Sequence, residues 1–128
     1  MSTLKAAIIS DELDNTLGMQ ELISGASKAF LAYNQLTSTN NVSLNVSSVV
    51  DVSVGNDTVN LTSSMSAANY PVSVTGSLNV ANGGHRALGG AFGKLVGSYG
   101  VSMGDNNNTT TAQENLAVCD SIVVGSLA

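Results

Sequence analysis

Ionisable side chains are scarce in this chain: Asp, Glu, Lys and Arg make up 10% of 128 residues, where globular proteins ordinarily carry about a quarter. Four Lys and Arg (Lys5, Lys28, Arg86 and Lys94) stand against nine acids. Nucleic-acid binding draws on clustered cations that displace counterions from phosphates, so four scattered ones exclude it. There is no Trp, and three Tyr and two Phe leave little for aromatic stacking platforms. Cys119 is the sole cysteine, which rules out an intrachain disulfide and points to a small buried thiol. No apolar run approaches the roughly 18 residues of a membrane span, and the patch in "MSTLKAAIIS" is too short for a secretory signal. The chain is therefore expected to be made in the cytoplasm, to stay soluble and to have no membrane partner.

Catalytic patterns are absent as well. His85, the only histidine, sits beside Arg86 in "GGHRALGG", a context whose free backbone amides suit an anion; a structural or solvated role is the simpler reading. The glycines of "GGHRALGGAFG" lack the Lys-Ser/Thr ending of a phosphate-binding loop and the setting of a dinucleotide fingerprint. No Gly-x-Ser-x-Gly elbow occurs. Asp57 with Asn56 and Asn60, and Asp105 with the following asparagines, offer oxygens to a cation, but turn chemistry accounts for both stretches. Six Asn-x-Ser/Thr triplets, at Asn41, Asn45, Asn56, Asn60, Asn107 and Asn108, read as strand and loop chemistry. The sequence thus predicts no catalytic, cofactor-binding or metal-ligating residue, no cofactor and no enzyme.

What the chain does contain is alternation. In "NVSLNVSSVVDVSV", positions 41 to 54, Val42, Leu44, Val46, Val50, Val52 and Val54 share one parity, which predicts a strand with a dry and a wet face. "VGNDTV" supplies turn residues at Gly55, Asn56 and Asp57, and "TVNLT" resumes the alternation at Val59 and Leu61, predicting a hairpin. "YPVSVTGSLNV" adds another strand through Val72, Val74, Leu78 and Val80, with Pro71 confined to a strand start or an edge. Near the end of the chain, Leu116, Val118, Ile122 and Val124 are in phase for a final strand, and "GDNNNTTT" (104 to 111) reads as a loop.

Two stretches carry the helical period instead. Between residues 10 and 36, Met19, Leu22, Ile23, Ala26, Phe30 and Tyr33 recur three and four apart. Ser10 or Asp11 is placed to cap this helix, Asp11, Glu12 and Asp14 lie at its positive end, and Glu21 and Lys28 belong to its solvated side. Leu88, Ala91, Phe92, Leu95, Val96 and Tyr99 suggest a second, Gly-rich helix over about 86 to 98, with extended chain after it; read with period two, "LVGSYGVSM" instead places Leu95, Tyr99, Val101 and Met103 on one side of a Gly-rich strand. The expected fold is α+β, mainly β, in a single domain over 1–128: an N-terminal helical segment (1–38) packed on or beside an antiparallel sheet or sandwich (39–128).

Long alternating strands with no Lys or Arg between Lys28 and Arg86 leave sheet edges unguarded. The expectation is that another element or another subunit covers them, with a homo-oligomer favoured and a trimer foremost. The stretches "NVSLNVSSVVDVSVGNDTVNLTSS", "PVSVTGSLNVANGG" and "GDNNNTTTAQ" resemble segments of bacteriophage virion proteins, namely head decoration or cement proteins and tail or fibre proteins. The resemblance is compositional, covers about residues 40 to 111 and carries over no functional residue. It implies a homo-oligomer docked on a capsid or tail protein, located in the virion. A self-polymerising, pilus-like filament subunit located outside the cell is one alternative. A carbohydrate- or receptor-binding module, with Tyr70 and Tyr99 as its stacking residues, is another.

Overall fold

The computed structural model describes the backbone of residues 8–10, 16–18, 25–77, 87–107, 110–113 and 115–128, and the side chains of residues 25–77, 89–104, 113 and 115–128. In chain order the strands are β1 (Ile8–Ser10), β2 (Thr16–Gly18), β3 (Ser27–Asn34), β4 (Thr39–Leu44), β5 (Val46–Ser53), β6 (Asn56–Leu61), β7 (Val72–Ser77), β8 (Ala87–Leu95), β9 (Ser98–Asn107), β10 (Thr110–Gln113) and β11 (Val118–Val124). All pairings between them are antiparallel. Strands β1 and β2 pair with each other. A first sheet runs β4-β3-β11-β7, and a second is built on β9. Along one edge of β9, β6 pairs with Ser98 to Ser102 and β10 with Gly104 to Asn107. Strand β8 takes the opposite edge, and β5 flanks β6.

The two sheets share one core. The first contributes Ala29, Leu31, Tyr33, Cys119 and Val123, and the second Val59, Leu61, Tyr99, Val101 and Met103. These are alternate residues of their strands, which is how two facing sheets fill the gap between them. Between the layers the Tyr99 hydroxyl meets Ser121 Oγ at 2.8 Å. Tyr70 stands edge-on to Tyr99, with ring centroids 6.5 Å apart, a geometry worth about 0.5–1.5 kcal/mol beyond the area buried. The Tyr70 hydroxyl lies 2.8 Å from both the Leu95 and Ser98 carbonyls, so its single proton is shared between two acceptors.

The structure overturns the α+β expectation: the chain is all-β, and among the described residues only Gly25 has helical backbone. Of the stretch expected as a helix over 10 to 36, residues 10, 16–18 and 27–34 are strand, so Ser10, a candidate cap, ends β1 instead. "SKAFLAYN" satisfies period two as well as period 3.6, and the sheet chooses the former. Ala29, Leu31 and Tyr33 point inward, whereas Lys28, Phe30 and Ala32 alternate with them on the outer side. Residues 27–34 therefore belong to the body of the first sheet, where β3 sits between β4 and β11. Asp11, Glu12, Asp14, Met19, Glu21, Leu22 and Ile23 lie outside the described residues.

The second expected helix, over 86 to 98, is the hairpin of β8 and β9, turning at Val96 and Gly97. Each interior Gly costs a helix on the order of 1 kcal/mol, and "ALGGAFGKLVG" has four. In the sheet the same small residues let neighbours close in. A Cβ on Gly100 would come within 2.5 Å of the Phe92 ring, which lies across that glycine on the outer face. "GDNNNTTT" is likewise a pairing element, since Gly104 to Asn107 pair with Thr110 to Gln113.

The hairpin expected at Gly55 is present, with β5 and β6 joined through Val54 and Gly55 (φ 72°). Pro71 stands immediately before β7, an outer strand of its sheet, where its carbonyl accepts from Val124 N at 3.3 Å. The dry face of "NVSLNVSSVVDVSV" is different from the pattern read in the sequence. The run divides at Asn45 (φ 55°), so Val42 and Leu44 lie in one sheet and Val46 onward in the other. A register shift between Val46 and Ser48 then reverses the parity. Val46 opposes buried Leu61 and Val49 opposes buried Val59, leaving Val50, Val52 and Val54 exposed. The final strand exists, but in the opposite phase: Cys119, Ser121 and Val123 are buried, whereas Val118 and Ile122 face outward.

Close approach of β7 to β9 depends on Gly76, because a Cβ there would collide with Met103 Cε and lie 2.7 Å from Leu116 Cδ1, both side chains fully buried. Gly76→Ala is expected to lower stability by about 1–3 kcal/mol through overpacking, read as a reduced midpoint in urea unfolding with an unchanged m-value.

Candidate functional site

Two kinds of site deserve comparison: the buried polar groups and the two sheet exteriors. The buried group centres on Gln35 and Asp57, each 4% exposed. Gln35 Nε2 donates to Asp57 Oδ2 at 2.6 Å, its Oε1 accepts from Leu116 N at 2.9 Å, and its backbone N donates to the Leu116 carbonyl at 3.0 Å. One side chain thus joins the turn after β3, the inner face of β6 and the segment leading into β11. Burial pushes the Asp57 carboxyl above its ordinary value; the Gln35 hydrogen bond acts in the opposite sense, and the Asp51 charge adds to the rise. Asp51 is its cross-strand neighbour on β5.

This cluster is a clamp in form. Asn56 and Asn60 alternate with Asp57 along β6 and face the other way, so the three oxygens considered for a cation do not converge. Among the described residues no group of three or more His, Cys, Asp or Glu side chains is placed to hold a metal ion. The side chain of Asp105, and all of His85 and Arg86, lie outside the described residues. Cys119 is buried as expected, and desolvation pushes its thiol up to about 12, with Asp57 and Asp120 adding to the rise. A thiol held protonated is a poor nucleophile and a poor metal ligand.

Tyr70 and Tyr99, the stacking residues of the carbohydrate reading, are core residues at 4% and 0% exposure. Lys94 further covers Tyr70, its Nζ lying 2.9 Å from the Tyr70 carbonyl and 5.8 Å from the ring centroid. Neither ring offers a platform.

Both sheet exteriors carry exposed apolar side chains, arranged differently. On the second sheet the exposed Val50 and Phe92 face outward, opposite Thr58 and Gly100, among small polar residues including Ser48, Thr58, Asn60, Ser98 and Ser102. The polar ones bond among themselves: Asn60 Nδ2 donates to Ser48 Oγ at 3.0 Å, and Gln113 Nε2 reaches Asn56 Oδ1 at 3.1 Å. On the first sheet Leu44, Phe30 and Ile122 stand directly opposite one another across three strands, with Val42 and Ala32 paired in the next row. Leu44, Val42 and Ile122 are 47%, 58% and 52% exposed. At the edge of this patch Lys28, Leu44, Asn45, Thr62, Ser63 and Leu127 border a shallow depression of about 420 Å³. The sequence reading assigned Val42 and Leu44 to a dry interior and Phe30 to a helix, and so missed that the tertiary fold places all of them on one outer surface.

Strands β7 and β8 run beside each other at one side of the molecule, where a Cβ on Gly89 would lie 3.1 Å from Val74. At the other side β4 carries one register shift and β5 two, and such bulges twist an edge away from further pairing. Asn45, between them, fixes the crossover: its Nδ2 donates to the Ser63 carbonyl at 3.0 Å and its Oδ1 accepts from Ser63 N at 2.6 Å. Among the described residues no helix is long and apolar enough to cross a membrane. Compared with protein-family models, curated proteins and solved structures, the chain matches none.

Two outcomes follow from the buried groups. Cys119 is expected to be silent to a disulfide-exchange reagent at pH 8 in the folded protein and to react fully once unfolded; rapid labelling of the native state would contradict its burial. Because folding raises the Asp57 pKa, its favourable contribution is complete below the unfolded value near 3.8 and is lost as pH rises through the folded value. Asp57→Asn, which keeps an acceptor for Gln35, is expected to flatten that part of the stability–pH curve and to equal or exceed the parent at neutral pH, measured by denaturant unfolding from pH 3 to 7.

Proposed function

We propose that this protein is a structural assembly subunit, a homo-oligomeric virion component of the capsid decoration or cement type, or associated with a tail, that acts through protein–protein contacts. The observation that carries the reading is the apolar exterior of the first sheet. Small soluble monomers seldom leave a contiguous row such as Leu44, Phe30 and Ile122 in water, and such patches mark interaction surfaces. The second sheet's exterior interleaves its exposed Val50 and Phe92 with Ser, Thr and Asn side chains, some of them bonded to one another. The virion assignment rests on the compositional resemblance, and a capsid or tail protein is the further partner it implies.

Filament formation is the competing arrangement. Light scattering coupled to size-exclusion chromatography, with negative-stain microscopy of the same fractions, separates the two. A closed oligomer of fixed mass is expected; an open ladder growing with concentration would favour the filament, and a monomer at every concentration would remove the assembly reading.

A further inference from the structure

Between β10 and β11 the chain crosses from the second sheet to the first, and Asn115 and Leu116 of this crossing are fastened to two turns. Asn115 Oδ1 accepts from Gly55 N, in the β5–β6 turn, at 2.6 Å. The Leu116 peptide is gripped from both sides by Gln35, in the turn after β3: its carbonyl accepts from Gln35 N at 3.0 Å and its N donates to Gln35 Oε1 at 2.9 Å. The Leu116 side chain is fully buried beside Gly76 and Met103, so this peptide closes one end of the core. The Gln35 side chain is held in turn by its bond to Asp57 Oδ2 at 2.6 Å, and the closure therefore runs through one buried carboxyl group.

The surroundings of that carboxyl suit its neutral form. Among the described residues the titratable groups that act on Asp57 or feel its charge are Asp51 on β5, directly opposite it, Tyr33 on β3 and Cys119 on β11. Its partner on β9 is Val101. None of these is a cation, and burial keeps Tyr33 and Cys119 protonated well above neutral pH, so the response to acid belongs to the carboxyls. The Gln35 bond favours the ionised form, but desolvation outweighs it. We propose that Asp57 is a proton-controlled latch: with its carboxyl protonated the Asn115–Leu116 crossing stays seated, and with it ionised the crossing lifts in a fraction of molecules so that water reaches the charge. Local opening is the cheaper relief for a buried charge than global unfolding, and residues 115 to 117 belong to no strand. In the open form a hydrated Asp57 has its ordinary proton affinity, near 3.8. Opening is thus hardest below that value, becomes easier as pH rises through the closed-form value and levels off above it.

Amide hydrogen exchange of the whole chain from pH 3 to 7, corrected for the intrinsic rate at each pH, tests this. The Leu116 and Gln35 amides are expected to open more often as pH rises and then to reach a plateau, with little dependence on dilute urea because the opening exposes little surface. The Ser121 amide, at the centre of β11, is expected to open only with the whole molecule. Asp57→Asn is expected to abolish the pH response of Leu116 and Gln35, and Asp51→Asn to move it to lower pH by removing the charge opposite. A response that survives Asp57→Asn, or stays in place in Asp51→Asn, belongs to another group and overturns the latch. Equal opening free energies and urea dependences for Leu116 and Ser121 at every pH would overturn it as well, since this end would then open only on unfolding.

Discussion

At the centre of the molecule the hydroxyl of Tyr99, on the second sheet, meets Ser121, on the first, and most of what surrounds this contact depends on the spacing it marks. A hydroxyl taken out of water without a partner costs about 1–3 kcal/mol, so the two layers are held where both are satisfied. At that spacing the inward side chains, Val59, Val101 and Met103 from one layer and Leu31, Cys119 and Val123 from the other, fill the interior. Met103 passes between the sheets only because Gly76 and Gly89 lack a Cβ. At one end Gln35, Asp57 and Leu116 close the core by hydrogen bonds; at the other Met65 and Tyr70 fill it, with Met65 N bonded to the Val96 carbonyl.

The interior makes full use of its polar atoms. No buried side-chain nitrogen or oxygen among the described residues lacks a partner, and the buried thiol and carboxyl both have raised pKa values caused first by desolvation. Such groups hold elements together. Exposed apolar side chains lie on the outsides of the sheets, with Leu44 and Ile122 on the first and Val50 and Phe92 on the second, and this is why surface geometry carries the functional reading.

The sequence and the structure agree on the substance of the strands and part company on their phase. The alternation around Gly55, Val59 and Leu61, and the strand after Pro71, were legible because a hairpin turn and a period of two are local properties. The inward faces of β5 and β11 were not. A register shift after Val46 exchanges the two sides of a strand, and whether Ile122 or Val123 meets the core depends on which neighbour lies above it. Both expected helices failed for a related reason. "KAFLAY" and "ALGGAFGKL" have apolar residues at spacings that fit either period, and pairing partners distant in the chain decided between them. Phe30 was recognised as a hydrophobic anchor, but its place beside Leu44 and Ile122 on an outer face is a product of three strands brought together from different parts of the chain.

By itself the sequence determined the material: a β-forming chain with few charges, one protected cysteine and surfaces made of hydroxyls and amides, because composition sets how a chain can be solvated and what chemistry it can support. Only the tertiary structure decided which valines and leucines are dry and which face of each sheet meets water. Those are relations between residues far apart in the chain, and they exist only once the strands are in register.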